Sequence, residues 1–311
     1  MMSAWLKAFR LRTLPLAAAS VLMGNILAFI YDNTGTSSLS IFILTLLTAF
    51  ELQILSNLAN DYGDFVKGTD NENRIGNTRA LQSGEISPKQ MLKMIIFFVL
   101  LSLITGFSLL FHAFGELNMT FIFLFVLGLA AIGAAIKYTV GKTAYGYKGL
   151  GDIAVFLFFG LFAVLGSAYL QTRLLQWMML LPASAAGLLA AGVLNVNNIR
   201  DIDNDKASGK ITIPVRLGVT AAKKYHTLLI AAALLLLIIF SVSRYSNPVD
   251  FVYLICYPLI LINTRNVIQQ PPSPAYNGLL KQLSLGTLLL ILLFGASTFL
   301  SFLFYSYGIF S

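Results

Sequence analysis

Apolar residues in this chain come in long runs rather than in alternation. Nine runs can be drawn, at about 14–31, 39–59, 91–111, 118–136, 152–170, 174–196, 222–242, 249–264 and 284–307. Most are long enough to cross about 30 Å of hydrocarbon as a helix. A membrane β-barrel needs period-two alternation, which is absent. The pattern therefore predicts an all-α polytopic membrane protein. Two polar stretches interrupt it at helix ends, "NLANDYGDFVKGTD" at 57–70 and "NVNNIRDIDNDKASGK" at 195–210.

Composition agrees, since the 311 residues are 57% hydrophobic and 11% charged, against about a quarter charged in soluble domains. The basic start "WLKAFRLRTLPLAAASVLMGNILAFI" leads into a full-length span and reads as a retained first helix, not a cleaved signal. Cys256 is the one cysteine and lies in an apolar run, which excludes an internal disulfide. When alternate connections are assigned to opposite sides, all 21 Lys and Arg except Arg173 and Arg244 fall on the N-terminal side. By the positive-inside rule that side is cytoplasmic, and nine spans put the C-terminus outside. The expected location is the plasma (inner) membrane. The net charge of +8 thus reflects topology, with no need for nucleic acid.

The acids are just as one-sided. Asp61, Asp64, Asp70, Glu72, Glu85, Asp152, Asp201, Asp203 and Asp205 all belong to the cytoplasmic loops or the helix ends beside them, although acids contribute little to topology. At 100° per residue, Asn57, Asn60, Asp61 and Asp64 fall within about 100° of one another on a helix. Asn197, Asp201 and Asp205 recur at i, i+4 and i+8 and spread over about 80°, with Asp203 on the far side. Both clusters end a span, the second and the sixth, where the helix dipole already presents negative charge. Oxygen-only donors of this kind suit a hard cation such as Mg²⁺, which completes its shell with water and phosphate oxygens. Two clusters facing each other would hold a diphosphate through bridging Mg²⁺, with two ions expected. The cation ligands read this way are Asn60, Asp61, Asp64, Asp70, Asn197, Asp201 and Asp205, of which Asp64, Asp201 and Asp205 are the catalytic candidates. Four spans separate the clusters, so the single 1–311 domain reads as two weakly repeated halves, about 1–150 and 151–311.

At these motifs, Asn60-Asp61-x-x-Asp64 and Asp201-x-x-x-Asp205, the sequence resembles the UbiA superfamily of intramembrane prenyltransferases. The segments "NLANDYGDFVKGTD", "LQSGEIS", "YKGLGDIAVFLFFG" and "NNIRDIDNDKASGKITIPVRLG" are similar to its 1,4-dihydroxy-2-naphthoate branch. The resemblance implies nine helices around a central cavity, capped by cytoplasmic loops and open to lipid. It also implies Mg²⁺-assisted ionisation of a polyprenyl diphosphate and capture of the allylic cation by an aromatic ring, with loss of CO₂ in the naphthoate branch. Lys67, Arg79 and Lys137 are then candidates for the diphosphate, Arg10 for the carboxylate of the aromatic acid, and Tyr62 and Tyr145 for the cation. The rival within the superfamily is another acceptor such as 4-hydroxybenzoate. The rival from another class is a cation- or proton-coupled transporter, which predicts polar residues near the midplane and access from both sides. Glu51, inside the second span, expects a partner on a neighbouring helix or a place near the outer interface, and His112 and His226 read as interfacial.

Overall fold

Local sequence signals start and stop the helices. Ser87 accepts from the Gln90 amide while its own N–H donates to Gln90 Oε1 at 2.8 Å, and Pro88 occupies the first turn, which together satisfy orphan donors at a helix start. Gly115 ends the same helix in the left-handed conformation at φ 73°, where a Cβ is unfavourable. Thr212 and Asn118 cap two further starts.

The computed structural model describes residues 2–32, 38–72, 74–76 and 78–306. Among these, nine helices are long and apolar enough to cross a membrane: α1 (Met2–Tyr31), α2 (Leu39–Val66), α3 (Pro88–Phe114), α4 (Met119–Lys137), α5 (Gly151–Thr172), α6 (Trp177–Arg200), α7 (Ile213–Ser243), α8 (Pro248–Gln269) and α9 (Tyr276–Ser306). The described residues contain no strand. Helix α6 is the most enclosed and packs against α1, α5, α7 and α9. Around it lies the largest apolar core, including Met23, Leu27, Val164, Leu189, Val196, Leu237 and Leu290. A second core joins α1, α2 and α3 through Ala8, Leu55, Leu58, Met91 and Phe98.

Several helices are locally reshaped. Helix α1 breaks at Arg10, which is left-handed at φ 50° and ψ 53°. Within α5, Phe156–Leu165 is π-helical, a form that often marks functional segments. There Gly160 meets Gly187 of α6 so closely that a Cβ on Gly160 would lie 2.7 Å from Ala183 O. The segment Ile213–Ser243 is broken at Gly218, which stands at φ 77° and ψ 163°, so the long helix of α7 begins after it, close to where the apolar run begins. His226 lies inside that helix and is fully buried in the bundle, not interfacial. His112 does sit at an exposed helix end, 2.6 Å from Ser40 Oγ. Glu51 is buried and accepts a hydrogen bond from Thr105 of α3, so a neighbouring helix supplies its partner.

Candidate active site

The loops that follow α2, α4 and α6 meet at one end of the bundle. Asn204 Nδ2 donates to Thr69 O at 2.8 Å, and the Ile211 amide donates to Tyr147 O at 3.1 Å. These contacts bring both acidic motifs into one cluster. The first motif stays on the last turns of α2, where Asn57, Asn60 and Asp64 line a central cavity and Asp61 is buried beside them. The second does not continue a single helix. Asp201 sits in a break after α6, at φ −96° and ψ 14°, and Asp205 lies on a short helix, Ile202–Ala207. The stripe survives because the Asp205 amide still bonds Asp201 O at 2.8 Å. Asp203 is exposed on the other side.

Cations separate the acids. Asp61 pairs with Arg10 and, at 3.0 Å, with Arg79. Arg74 bridges Asp70 at 3.2 Å and Asp201 at 3.5 Å, and so links the two motifs. Lys210 makes the second link, 3.8 Å from Asp64 Oδ2 and 3.6 Å from Asp205 Oδ1. Arg200 is fully buried and grips Asp201 with a fork, Nε to Oδ1 at 2.9 Å and Nη2 to Oδ2 at 2.5 Å. Its Nη1 also donates to Asn277 of α9 at 2.7 Å, and Nη2 to Asn197 at 2.9 Å.

The electrostatics follow from this alternation. Burial pushes the Asp205 carboxyl up to about 6 despite Lys210, and burial likewise raises Asp70. For Asp201 burial acts in the same direction, but the Arg200 fork outweighs it and holds the carboxyl below the usual range. Lys210 is driven upward because Asp64 and Asp205 outweigh its burial.

Among the described residues, no three His, Cys, Asp or Glu side chains stand close enough to hold an ion together. The donor chemistry nevertheless fits an oxygen-seeking cation. Asp70 Oδ1 meets its cations only as ion pairs, with Arg74 at 3.2 Å and Arg79 at 3.7 Å, and among the described residues Asp70 Oδ2, Asp205 Oδ2 and Asn204 Oδ1 are buried without a hydrogen-bond partner, a costly state for buried oxygens.

The cavity measures about 470 Å³. Its mouth is polar, with Arg10, Asn60, Asp64, Arg79, Asn197 and Lys210. Its shaft is apolar and aromatic, lined by residues such as Leu16, Phe125, Phe158, Phe159 and Phe162. Both Thr45 and Asp64 of α2 line it, so it extends along about 28 Å of that helix, nearly a full hydrocarbon thickness. Tyr138 and Tyr145 stand near the mouth with rings 5.3 Å apart, edge to face.

Three other expected site residues, Lys137, Tyr62 and Lys67, do not line the cavity. Lys137 is exposed at the end of α4 and does not line the cavity, so Lys210 is the lysine that faces it. Tyr62 packs into the second apolar core. Lys67 stands 3.8 Å over the Tyr147 ring. The buried Arg200 was not foreseen as part of the site, although it directly precedes Asp201 in the motif.

The same architecture is found in solved proteins of low identity. A UbiA homolog from Aeropyrum pernix K1 matches with a TM-score of 0.65 at 19% identity, covering 94% of this chain and 97% of that one. A UbiA homolog from Archaeoglobus fulgidus, solved bound to GPP and Mg²⁺, matches at 0.63 and 21% identity, covering 96% and 99%. Sequence relatives are much nearer. The 1,4-dihydroxy-2-naphthoate octaprenyltransferase of Escherichia coli is 43% identical over 298 residues, 96% of each chain. The enzyme of that name in Haemophilus influenzae is 41% identical over 93% of this chain and 94% of its own. The model of the UbiA prenyltransferase family matches residues 17–277, and with these relatives and this fold the chain belongs to that family.

Proposed function

We propose that this enzyme transfers a polyprenyl group from a polyprenyl diphosphate to 1,4-dihydroxy-2-naphthoate, with loss of CO₂ and diphosphate, to give the prenylated naphthohydroquinone, a demethylmenaquinol, which becomes a demethylmenaquinone on later two-electron oxidation. The observation that carries the reading is identity above 40% along nearly the whole chain with enzymes named for that acceptor. The cavity supports the donor half, because a cationic mouth above an apolar shaft suits an amphiphile with a diphosphate head.

Arg79 and Lys210, which line the mouth, hold the diphosphate and stabilise the charge that grows on it as the allylic C–O bond breaks. Asp64, Asp201 and Asp205, with Asn60, Asp61, Asp70 and Asn197, are the residues that would hold two Mg²⁺ ions. When bound, Mg²⁺ draws charge from the leaving diphosphate. Lys67 lies beside this set and adds positive charge. Tyr145, with Tyr138, presents π-density to the allylic cation, and the apolar shaft keeps water from it. Arg10 receives the acceptor carboxylate. The ring carbon bearing that carboxylate attacks; the C–CO₂ bond then breaks and returns its electron pair to the ring. We further propose that the mouth, the acidic loops and the N-terminus are cytoplasmic, with the C-terminus outside the plasma membrane. The test is incubation of purified protein with Mg²⁺, a long polyprenyl diphosphate and either 1,4-dihydroxy-2-naphthoate or 4-hydroxybenzoate. Mass analysis should give a product equal to naphthoate plus prenyl minus CO₂, and prenylated 4-hydroxybenzoate as the main product would overturn the reading.

A further inference from the structure

Tyr147 lies outside both acidic motifs, in the loop between α4 and α5, yet it touches the residues that follow each of them. Its hydroxyl donates to Asp64 Oδ1 at 2.7 Å and shares a second hydrogen bond with Thr69 Oγ1 at 2.6 Å. Its ring carries Lys67 Nζ at 3.8 Å, and Lys210 Nζ stands 5.6 Å from the same centroid. Its carbonyl accepts the Ile211 amide at 3.1 Å. One side chain and its own peptide thus pin the loop after α2 to the loop after α6.

The consequence for Asp64 is directional. With Oδ1 engaged by the phenol, Oδ2 is turned toward Lys210 and hence toward Asp205 of the other motif. A carboxylate free to rotate would not hold that oxygen in place. Hydrogen-bond partners of ligating carboxylates fix their orientation, and their loss typically costs about 10–100-fold in metal affinity or activity.

We propose that Tyr147 is a positioning residue for the reaction. Its hydroxyl fixes Asp64, one of the carboxylates that would hold Mg²⁺, with Oδ2 turned toward Lys210 and Asp205, and its ring gathers Lys67 and Lys210, one lysine from each acidic loop, where they would meet the diphosphate. The inference rests on the metal–diphosphate reading above. Its two parts separate chemically, because phenylalanine keeps the ring and loses the hydroxyl, whereas leucine loses both.

The test compares Tyr147→Phe and Tyr147→Leu with the unsubstituted full-length enzyme in lipid nanodiscs. Two Mg²⁺ titrations are run, one of prenyl transfer and one, without substrate, of thermal stabilisation by Mg²⁺ plus inorganic pyrophosphate. For Tyr147→Phe both Mg²⁺ midpoints should rise about 10–100-fold, while kcat at saturating Mg²⁺ returns close to that of the parent. Tyr147→Leu should raise the midpoints and also lower kcat at saturation, since the lysines lose their shared face. A merely structural residue would lower the metal-free melting temperature and leave both midpoints in place; that result overturns the proposal. Asp64→Ala serves as the discriminating control. If it abolishes the Mg²⁺ response while Tyr147→Phe leaves the midpoints unmoved, only the role of Tyr147 fails; if Asp64→Ala keeps the parent's response, the metal site itself fails, and the inference with it.

Discussion

Arg200 offers a direct test of how the second acidic motif is held. Its guanidinium is fully buried, forks onto Asp201 at 2.9 and 2.5 Å, and ties Asn197 of α6 to Asn277 of α9. Arg200→Met keeps most of the volume but leaves the buried Asp201 charge with Arg74, 3.5 Å away, as its remaining ion pair. Breaking a buried pair from one side costs about 3–5 kcal/mol, much of it the penalty of the stranded charge. Asp201→Asn removes the other partner and strands the guanidinium, at a cost of the same order. The double variant strands neither charge, so it should be less destabilised than the sum of the singles by about 2–3 kcal/mol. The assay is a double-mutant cycle on unfolding free energies, measured in bicelles without divalent cations. Additive singles, or an Arg200→Met cost below about 1 kcal/mol, would show that this fork does not hold Asp201 and would refute the reasoning.

Asp64→Ala and Asp201→Ala should each cut prenyl transfer at least about a hundredfold while the protein stays folded; EDTA should stop the parent enzyme and Mg²⁺ restore it, as measured by product mass. In a Cys256→Ser background, single cysteines at Ser83 and Ser208 should resist an impermeant maleimide in intact cells, whereas one at Ser246 should react; the reverse pattern would invert the proposed topology. Gly160→Val should destabilise the α5–α6 contact by about 1–3 kcal/mol through overpacking against Ala183 and Gly187, seen as a lower melting temperature, and an unchanged value would contradict the close approach.

How much of this was legible in the sequence depended on whether the signal was local. Long apolar runs predicted the nine spanning helices found among the described residues, because insertion depends on the hydropathy of each segment. Helix ends were less readable: Lys223, Lys224 and His226 put polar groups near the start of the 222–242 run, so His226 looked interfacial. In the structure Lys223 instead reaches the carbonyls of Ile268 and Gln270 at 2.9 and 2.6 Å. The carboxylate–carboxamide stripe of α2 was visible from helical spacing alone, since four residues per turn and a little less put them on one face. The interleaved cations were not. Whether a given Arg or Lys sets topology or enters a site depends on loop folding, so Lys210 could not be told from Lys137, and Arg200 was counted with the topological charges. The hydrogen bonds of Tyr147 to Thr69 and Asp64 were equally hidden, because these partners lie 78 and 83 residues away in sequence.

The central claim is that the ring carbon bearing the carboxylate is the one alkylated. Attack there creates a tetrahedral centre that cannot regain aromaticity by losing a proton, so decarboxylation completes the substitution. The most direct measurement supplies carboxyl-labelled 1,4-dihydroxy-2-naphthoate, polyprenyl diphosphate and Mg²⁺ to the purified enzyme and follows both label and prenylated product. Labelled CO₂ should appear in equal amount to prenyl transfer. A prenylated product that retains the label would contradict the account.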